Sequence, residues 1–256
     1  MVQTPDSVMP RLIVRGIHKS FGAVTVLRGV DFEARAGEVT ALLGDNGAGK
    51  STLVKCIAGT YVPDQGTIEL DGRLQTFRTP SDATAAGIET VYQDLALCDN
   101  LDVVANLFLG RERIAGGGTL DEVAMEKTAR GALEQLNIII PSVRSTVAQL
   151  SGGQRQSVAV AKAVLWAPKV VILDEPTAAL GVAQQKQVLD LIKRLREEGL
   201  AVIVITHNMV DVFAVADVAI VMRLGRRVAK LRIADVTPED VVAAITGGRE
   251  FAEAAQ

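Results

Sequence analysis

Residues 44–52, with the sequence GDNGAGKST, constrain the fold more than any other part of the chain. They fit the phosphate-binding loop pattern, in which a glycine is followed by four residues and then by Gly-Lys-Ser or Gly-Lys-Thr. The glycines permit backbone turns in which a Cβ would clash, and they bring N–H groups close to phosphate oxygens. A helix that begins near Lys50 would direct its free N–H groups at the same anion. Lys50 supplies a positive charge for the β- and γ-phosphates, and Ser51 supplies a hydroxyl for Mg²⁺.

The flanking sequence favours a strand before this loop and a helix after it. Residues 38–43 form a short apolar run with β-branched side chains, which is typical of a buried strand. Apolar residues recur at helical spacing from Leu53 to Ile57, and Gly59 with Pro63 beyond it is a helix-stop pattern. Strand, glycine loop and helix is the order that the motif requires. The residues expected to bind the cofactor ATP through this loop are Gly44, Asp45, Asn46, Gly47, Ala48, Gly49, Lys50, Ser51 and Thr52.

Composition excludes several classes of protein. Of the 256 residues 48% are hydrophobic but only 4% aromatic, which indicates an aliphatic core of the kind found in parallel α/β sheets. The net charge of −3 argues against a nucleic-acid partner. Cys56 and Cys98 are too few for a disulfide framework, so we expect a reducing compartment. No apolar run approaches the ~18 residues of a membrane helix, and the N-terminus lacks a signal-peptide pattern. Any membrane role would therefore require a partner protein.

Hydrophobic patterns along the chain alternate between strand-like and helix-like segments. Such alternation predicts a parallel sheet with helices on both faces, and residues 94–166 resemble a helical insertion. Thr237 and Pro238 have the pattern of a helix start. The predicted strands are residues 12–14, 25–27, 30–33, 67–70, 170–173, 201–205 and 218–221. The predicted helices include residues 103–109, 123–136, 188–195 and 209–215.

Two carboxylates follow the apolar run at residues 170–173. Asp174 and Glu175 would lie at the carboxyl end of a buried strand, where open α/β sheets bind ligands. Asp174 fits the acid that holds Mg²⁺, and Glu175 would face the γ-phosphate and position the attacking water. A strand end with two solvated acids is the alternative, and the preceding phosphate loop disfavours it.

The segment LSGGQ, residues 150–154, supports two compatible interpretations. Ser151 and Gln154 have the spacing of a capping box, which predicts a helix over residues 154–165. Gly152 and Gly153 would also expose N–H groups at the helix start, as in a second anion site. Two such sites in one chain indicate an ATP that is shared between two subunits.

With these motifs in this order, the chain resembles the nucleotide-binding subunits of ABC transporters over essentially its whole length. LSGGQ matches the signature motif of that family. Phe21 in KSFG stands where the family has an adenine-stacking aromatic residue. Gln93 in VYQD matches the glutamine that senses Mg²⁺ and contacts the permease, and His207 in ITHN matches the switch histidine near the γ-phosphate. The resemblance implies that the catalytic residues are Glu175, His207, Lys50 and Gln93. It implies that the metal ligands are Ser51, Gln93 and Asp174.

The family's fold is an α/β P-loop NTPase. It has a RecA-like, mostly parallel sheet flanked by helices, an N-terminal antiparallel β region and an inserted α-helical subdomain. The whole chain, residues 1–256, would form one such domain. Its expected parts are an ATP-binding core with the β region at about residues 11–93 and 167–236, the helical subdomain at about residues 94–166, and a C-terminal helix and tail at residues 237–256.

The resemblance also implies an assembly. Two subunits would close head to tail around two Mg·ATP molecules as a homodimer, and each ATP would contact one phosphate loop and the opposite signature. The residues expected to act in trans are Ser151, Gly152, Gly153 and Gln154. Closure would drive transmembrane permease subunits, with residues 94–111 as the candidate contact and an ordinary helical surface as the alternative. The chain would lie at the cytoplasmic side of the cell membrane and act indirectly with a solute-binding protein.

Several stretches resemble one branch of the family, the ATPases of ribose-, xylose- and fructose-type monosaccharide importers. They are PSDATAAGI at residues 80–88, LDVVANLFLGRE at 101–112, DEPTAALGV at 174–182 and EDVVAAITG at 239–247. Many members of that branch fuse two nucleotide-binding halves. This chain has one set of motifs, so it resembles the single-domain members.

One position departs from the family pattern. Most members have Ser-Ala-Leu-Asp where this chain has Ala-Ala-Leu-Gly at residues 178–181. Gly181 replaces an aspartate that usually bridges the dimer interface, which removes a charge and adds backbone freedom. We expect weaker coupling between the two ATP sites, without loss of hydrolysis.

Other functions remain as alternatives. The chain could serve another importer or an exporter, or it could be a soluble, non-transport ABC ATPase. It lacks the paired cassettes or the long coiled coil of the soluble members, and its acidic charge disfavours nucleic acid. A non-catalytic ATP-binding regulator is disfavoured by the retained Lys50, Asp174, Glu175 and His207. Four further residues are given structural interpretations: His18 as a surface or turn residue, Cys56 as helix core, and Arg226 with Arg227 as a solvated turn.

Overall fold

In the computed structural model, which describes residues 9–248, the strands form two sheets. The strands are β1 Leu12–Phe21, β2 Val24–Ala34, β3 Glu38–Gly44, β4 Gln65–Leu70, β5 Arg73–Gln75, β6 Ile88–Val91, β7 Val170–Asp174, β8 Ala201–Ile205, β9 Val218–Arg223 and β10 Arg226–Arg232. A four-stranded antiparallel sheet has the order β2-β1-β4-β5. A six-stranded sheet has the order β10-β9-β3-β8-β7-β6, in which all neighbours are parallel except the edge strand β10.

Helices lie between these strands along the chain. The α-helices are α1 Lys50–Ile57, α2 Pro80–Ala86, α3 Val103–Phe108, α4 Glu122–Gln135, α5 Gly152–Val164, α6 Val182–Glu197, α7 Met209–Val215 and α8 Pro238–Thr246. Three of them, α3 to α5, come between β6 and β7, which is the segment predicted to be a helical insertion. Within residues 9–248, none of the helices combines the length and the apolar character needed to cross a bilayer.

The central parallel strands are buried on both faces because their aliphatic side chains alternate between two hydrophobic clusters. Val171 and Leu173 of β7 pack with the apolar faces of α5 and α6. Val170 and Ile172 pack on the other side with α1 and the antiparallel sheet. This is the two-sided burial that continuous Val/Ile/Leu runs indicate. Because β3, β7 and β8 are parallel, their carboxyl ends lie at the same end of the sheet.

Several sequence expectations are met locally. Helix α8 begins as predicted: Thr237 is its N-cap, Pro238 is its first residue, and Thr237 forms a capping box with Asp240. The tail that was expected after this helix, residues 249–256, lies outside the described residues, as does the N-terminal segment 1–8. Cys56 is buried in the core as expected, and burial raises the pKa of its thiol to about 11.

Three local predictions are corrected. Residues 25–27 and 30–33 belong to one strand, β2, instead of two. Arg226 and Arg227 begin β10 and do not form the turn. The turn is Leu224 and Gly225, whose φ angles are both positive, and a Cβ at Gly225 would lie 2.2 Å from the Val26 carbonyl oxygen. His18 was expected to be a surface or turn residue. It lies instead within β1 and is half-buried, with Nδ1 3.0 Å from the Gly16 carbonyl oxygen.

Candidate active site

The phosphate loop joins β3 to α1 and has a backbone that its glycines require. Gly44, Gly47 and Gly49 have φ angles of +146°, +80° and +101°. A Cβ at Gly44 would lie 2.2 Å from the Met222 carbonyl oxygen, and one at Gly49 would lie 2.8 Å from Leu27 Cδ2. A larger residue at either position would therefore meet both backbone strain and a steric clash. The result is a concave loop that ends at the N-terminus of α1.

Lys50 bends back across this loop. Its Nζ donates hydrogen bonds to the carbonyl oxygens of Gly44, at 2.7 Å, and Asp45, at 3.1 Å. Burial lowers the pKa of the Lys50 ammonium, although the nearby carboxylates of Glu175, Asp45 and Asp174 oppose that effect. A partly desolvated cation beside the free N–H groups of a helix start is an arrangement that favours an anion. The loop residues thus have the geometry expected for phosphate oxygens.

Asp174 and Glu175 reach the same edge of the sheet. Asp174 is the last residue of β7 and pairs in register with Ile205 of β8. The Glu175 N–H donates to the Ile205 carbonyl oxygen at 2.8 Å, and Glu175 has a φ of +48°, which is uncommon for a residue with a Cβ. Strain of this kind persists only where the surroundings over-determine the backbone, and it is frequent at functional sites.

His207 meets Glu175 at this edge. The distance between His207 Nδ1 and Glu175 Oε1 is 2.8 Å. The Glu175 side chain is 19% exposed, whereas that of His207 is 83% exposed. His207 therefore lies on the outer side of the carboxylate, which it orients, and it can reach a group placed above the sheet edge.

Asp174 lies in surroundings that disfavour its charge. Burial, and then the neighbouring charge of Glu175, raise the pKa of the Asp174 carboxyl above its ordinary value, and Lys50 only partly offsets this effect. A cation beside Asp174 would relieve the penalty. Oxygen donors of this kind, together with the Ser51 hydroxyl, are those that Mg²⁺ prefers.

Replacing Asp174 with asparagine should stabilise the nucleotide-free protein at neutral pH. A carboxyl whose pKa is raised by folding favours the folded state below its unfolded pKa, and this contribution is lost as the pH rises through the folded pKa. The asparagine removes that loss. Because the group is only partly buried and solvent screens its charge, we expect a small effect, with Tm rising by about 1–2 °C at pH 7.5 and less at pH 4. Thermal unfolding at the two pH values measures the effect. A lower Tm for the variant at pH 7.5 would contradict it.

Phe21 lies at the end of β1 with its ring 44% exposed. Tyr61, which follows α1, packs edge-on against it with ring centroids 5.1 Å apart, and Lys19 Nζ lies 5.6 Å from the Phe21 centroid. Sequence reasoning missed Tyr61, because no local pattern links it to Phe21. Tyr61 thus supports the Phe21 ring from one side, and Phe21 remains exposed enough for a planar base to stack on it.

Gln93 lies just beyond β6. Val91 pairs in register with Leu173 of β7, so the chain leaves β6 at the edge where Asp174 lies. Gln93 is exposed, and Tyr92 beside it places its hydroxyl 3.5 Å from that of Thr60. The topology therefore brings Gln93 to the side of the sheet that holds the phosphate loop.

The LSGGQ segment forms the predicted capping box at the start of α5. Ser151 Oγ accepts from the Gln154 N–H, and Gln154 Oε1 accepts from the Ser151 N–H. The helix begins at Gly152, not at Gln154, so both glycines have helical backbone. A Cβ at Gly153 would lie 2.8 Å from Gln184 Cβ, so close packing against α6 requires this glycine.

In the part of the chain that the structure describes, no hydrogen bond joins the LSGGQ segment to the phosphate loop of its own chain. Among residues 9–248, the side-chain hydrogen bonds of Ser151 and Gln154 join these two residues and the Ile139 carbonyl oxygen. Lys50, Asp174, Glu175, His207 and Gln93 converge at one sheet edge, while the signature lies against α6. At the start of α5, Ser151 is exposed, whereas Gly153 is buried.

Gly181 is the N-cap of α6, with φ and ψ of −72° and 160°. This is an extended conformation that any residue adopts, and a Cβ there would have no neighbour within 4 Å. The folded backbone at residue 181 therefore does not require glycine. The missing charge is the remaining difference from the family pattern.

Comparisons with known proteins agree with this geometry. A family model described as "ABC transporter" matches residues 27–178. The fructose import ATP-binding protein FrcA of Rhizobium meliloti is 48% identical over 248 residues, which cover 94% of this chain and 95% of that protein. The xylose/arabinose import ATP-binding protein XylG of Sulfolobus acidocaldarius is 44% identical, covering 92% and 93%. This chain spans about half of longer relatives such as the ribose import ATP-binding protein RbsA 1 of Rubrobacter xylanophilus, with 42% identity and 47% of that protein covered.

Solved structures show the same fold. The ADP conformation of MJ1267, an ATP-binding cassette of an ABC transporter, superposes with a TM-score of 0.80 at 26% identity, covering 94% of this chain and all of that one. A dimeric post-hydrolysis state of the cassette MJ0796, bound to ADP and Pi, has a TM-score of 0.73 at 25% identity, covering 87% and 98%. The predicted fold class is confirmed.

Proposed function

Because this chain belongs to the ABC transporter family, we propose that it is the ATP-hydrolysing subunit of a transporter that imports a monosaccharide. The names of the relatives support sugar import. The observation that carries the hydrolytic function is the Glu175–His207 contact of 2.8 Å at the sheet edge that also holds the Lys50 loop. A carboxylate, a histidine and a cation therefore lie at the same end of the sheet, and the space above that end is where a substrate would bind.

ATP would enter this space as the substrate. The loop N–H groups and Lys50 would bind its phosphates, and Phe21 would stack on the adenine. Ser51, Gln93 and Asp174 offer three oxygen donors that would hold Mg²⁺, which when bound neutralises charge on the β- and γ-phosphates. Glu175 would orient and polarise the attacking water, and His207 would fix the Glu175 carboxylate and approach the γ-phosphate. An oriented water is the main requirement for a loose phosphoryl transition state.

A second copy of the chain would complete each site. The N-terminus of α5, with Ser151 to Gln154, would bind the γ-phosphate held by the partner copy. The dimeric cassette among the structural neighbours supports this arrangement. We propose that residues 11–93 and 167–236 form the ATP-binding core, residues 94–166 the helical subdomain, and residues 237–256 a C-terminal helix and tail.

The permease subunits would bind at residues 94–111. This segment borders a surface cleft between β6 and α5. Arg111 donates to Glu89 at 2.9 Å and lies over the Trp166 ring at 5.1 Å, so the cleft offers both charge and an aromatic face. The subunit would thereby be held at the cytoplasmic side of the membrane and act indirectly with a solute-binding protein.

Size-exclusion chromatography of the full-length Glu175→Gln variant, with and without Mg·ATP, tests the shared-site assembly. We expect a shift from monomer to dimer with ATP, alongside measurable ATP hydrolysis by the wild type. Binding of ATP without any shift would contradict closure by the subunit alone.

Uptake of labelled ribose, xylose and fructose by cells that carry wild type or Glu175→Gln tests sugar import. Undiminished uptake of all three would contradict these sugars as cargo.

Replacing Gly181 with aspartate should strengthen cooperativity in ATP hydrolysis. The backbone accepts the side chain without strain, and the space around it is open. As N-cap of α6, the aspartate should also stabilise the protein by a few tenths of a kcal/mol. The Hill coefficient of ATP hydrolysis measures the coupling, and Gly181→Asn, which caps without charge, is the matched control. An unchanged Hill coefficient in the aspartate variant would refute the coupling hypothesis.

A further inference from the structure

Asp211 is a buried carboxylate that the proposed mechanism does not use. It lies on α7, one helical turn after His207, and is 2% exposed. Its Oδ2 accepts a hydrogen bond from Thr177 Oγ1 and its Oδ1 accepts one from Gln185 Nε2, each at 2.5 Å. Burial of a carboxylate is costly unless hydrogen bonds compensate for it, and here both recorded donors are neutral. Such bonds to a charged acceptor are among the strongest that a side chain makes, and they fix geometry.

The two hydrogen-bond partners of Asp211 lie close in sequence to residues of the candidate active site or to residues that contact the LSGGQ segment. Thr177 follows Glu175 by two residues and is 8% exposed. Gln185 lies in the first turn of α6, next to Gln184, which packs against Gly153 of the signature. The Asp211 carboxylate therefore joins the chain just after Glu175 to the helix just after His207.

Hydrogen bonds of Asn208, the residue after His207, connect His207 to the helix that carries Asp211. Asn208 caps α7 by accepting from the Val210 N–H at 3.0 Å, and the Asn208 N–H donates to Thr206 Oγ1 at 3.1 Å. His207 thus lies in a short stretch tied both to β8 and to the helix that carries Asp211. On the other side, the Glu175 backbone is anchored to Ile205 and continues directly to Thr177.

We propose that Asp211 is a positioning residue for ATP hydrolysis, which sets the separation of Glu175 and His207 by holding Thr177 and Gln185. The proposal rests on the proposed function. Loss of the hydrogen bonds from Thr177 and Gln185 to Asp211 would let the segment with Glu175 move relative to the segment with His207. The phosphate loop would remain intact. Displacement of reacting groups by about 1 Å can cost on the order of 10²-fold in rate. We therefore expect a defect in kcat and not in ATP affinity.

The test is Asp211→Asn in the full-length chain, measured by steady-state hydrolysis, ATP binding and thermal unfolding. Asparagine keeps the shape of the aspartate side chain, but its NH₂ group would face one of the two donors, Thr177 Oγ1 or Gln185 Nε2. One of the two hydrogen bonds would therefore be lost. We expect kcat to fall by about 10- to 100-fold and the Kd for ATP to change by less than about two-fold. Thr177→Val removes one of the same bonds, should lower kcat in the same direction, and should add little when combined with Asp211→Asn.

Asp217→Asn is the matched control. Asp217 also accepts two bonds, from the Val39 N–H at 2.9 Å and Arg196 Nη1 at 3.0 Å, but at the amino end of β3. It should lower Tm without a comparable loss of kcat. If Asp211→Asn and Asp217→Asn had the same Tm and lost kcat equally, the role of Asp211 would be overturned. It would also be overturned if the losses of kcat in Asp211→Asn and Thr177→Val were additive in the double variant. If Asp211→Asn does not fold, Thr177→Val with unchanged kcat would overturn it. A wild-type chain that does not hydrolyse ATP would instead overturn the proposed function.

Discussion

Replacing Glu175 with glutamine should reduce steady-state ATP turnover on the order of 10²- to 10⁴-fold, while ATP affinity changes by less than about two-fold. Glutamine has the same size, so the strained backbone at φ +48° and the bond to Ile205 should persist. It cannot accept a proton from water, and its contact with His207 loses the charge of the carboxylate. Phosphate release measures turnover, and titration with a fluorescent ATP analogue measures binding.

Glu69→Gln is a control of the same chemistry in another place. Glu69 lies on β4 of the antiparallel sheet, where it pairs with Ile13 and Leu74. This variant should keep wild-type turnover. If Glu175→Gln also kept it, water activation would belong to another group and the proposed mechanism would be wrong. If Glu175→Gln lost ATP binding as well, Glu175 would act on the ground state and not on the chemical step.

The phosphate loop could be predicted from sequence because its chemistry is local. The positive φ at Gly44 and the 2.2 Å that would separate a Cβ there from Met222 leave no alternative to glycine. Lys50 begins a helix because the loop ends there, and its apolar residues recur at helical spacing. Asp174 and Glu175 follow a continuous apolar strand, so their place at the sheet edge follows from topology alone.

The contacts that complete the site could not be predicted, since they join residues far apart in the chain. Glu175 and His207 are separated by 32 positions, and Thr177 and Asp211 by 34. Phe21 meets Tyr61 across two elements. Hydrophobic periodicity reports which face of an element is buried, but it does not report which polar side chains meet across a fold.

Three strands and a helix were not predicted from the sequence, for a related reason. β5 has only three residues. β6 has only four residues, and two of them are polar. Helix α2 buries only Ala83, so it has almost no apolar stripe. β10 has the sequence RRVAKLR, in which basic residues dominate and a register shift between Arg227 and Ala229 breaks the alternation. Pairing with a buried neighbour, and not intrinsic pattern, determines these elements.

Replacing Lys50 with methionine should weaken ATP binding by about 10- to 100-fold, the loss expected for a charge-assisted contact. Lys50 Nζ is the cation nearest to the loop carbonyl oxygens of Gly44 and Asp45 among the contacts recorded for the described residues. Methionine keeps much of the aliphatic volume and removes the charge. Hydrolysis should fall further than binding, because charge on the γ-phosphate develops in the transition state.

Thermal shift with ATP separates this effect from misfolding. Burial lowers the pKa of the Lys50 ammonium, so keeping this group charged costs folding free energy. Without ATP, Lys50→Met should therefore unfold at a temperature similar to that of the wild type. Saturating ATP at about 100 times Kd should stabilise the wild type by about 2.7 kcal/mol, and the same ATP concentration should stabilise Lys50→Met far less. Lys193→Met on α6, away from the loop, should keep the full shift. An undiminished shift in Lys50→Met would mean that the backbone N–H groups alone bind the phosphates, and that Lys50 serves only to hold the loop closed.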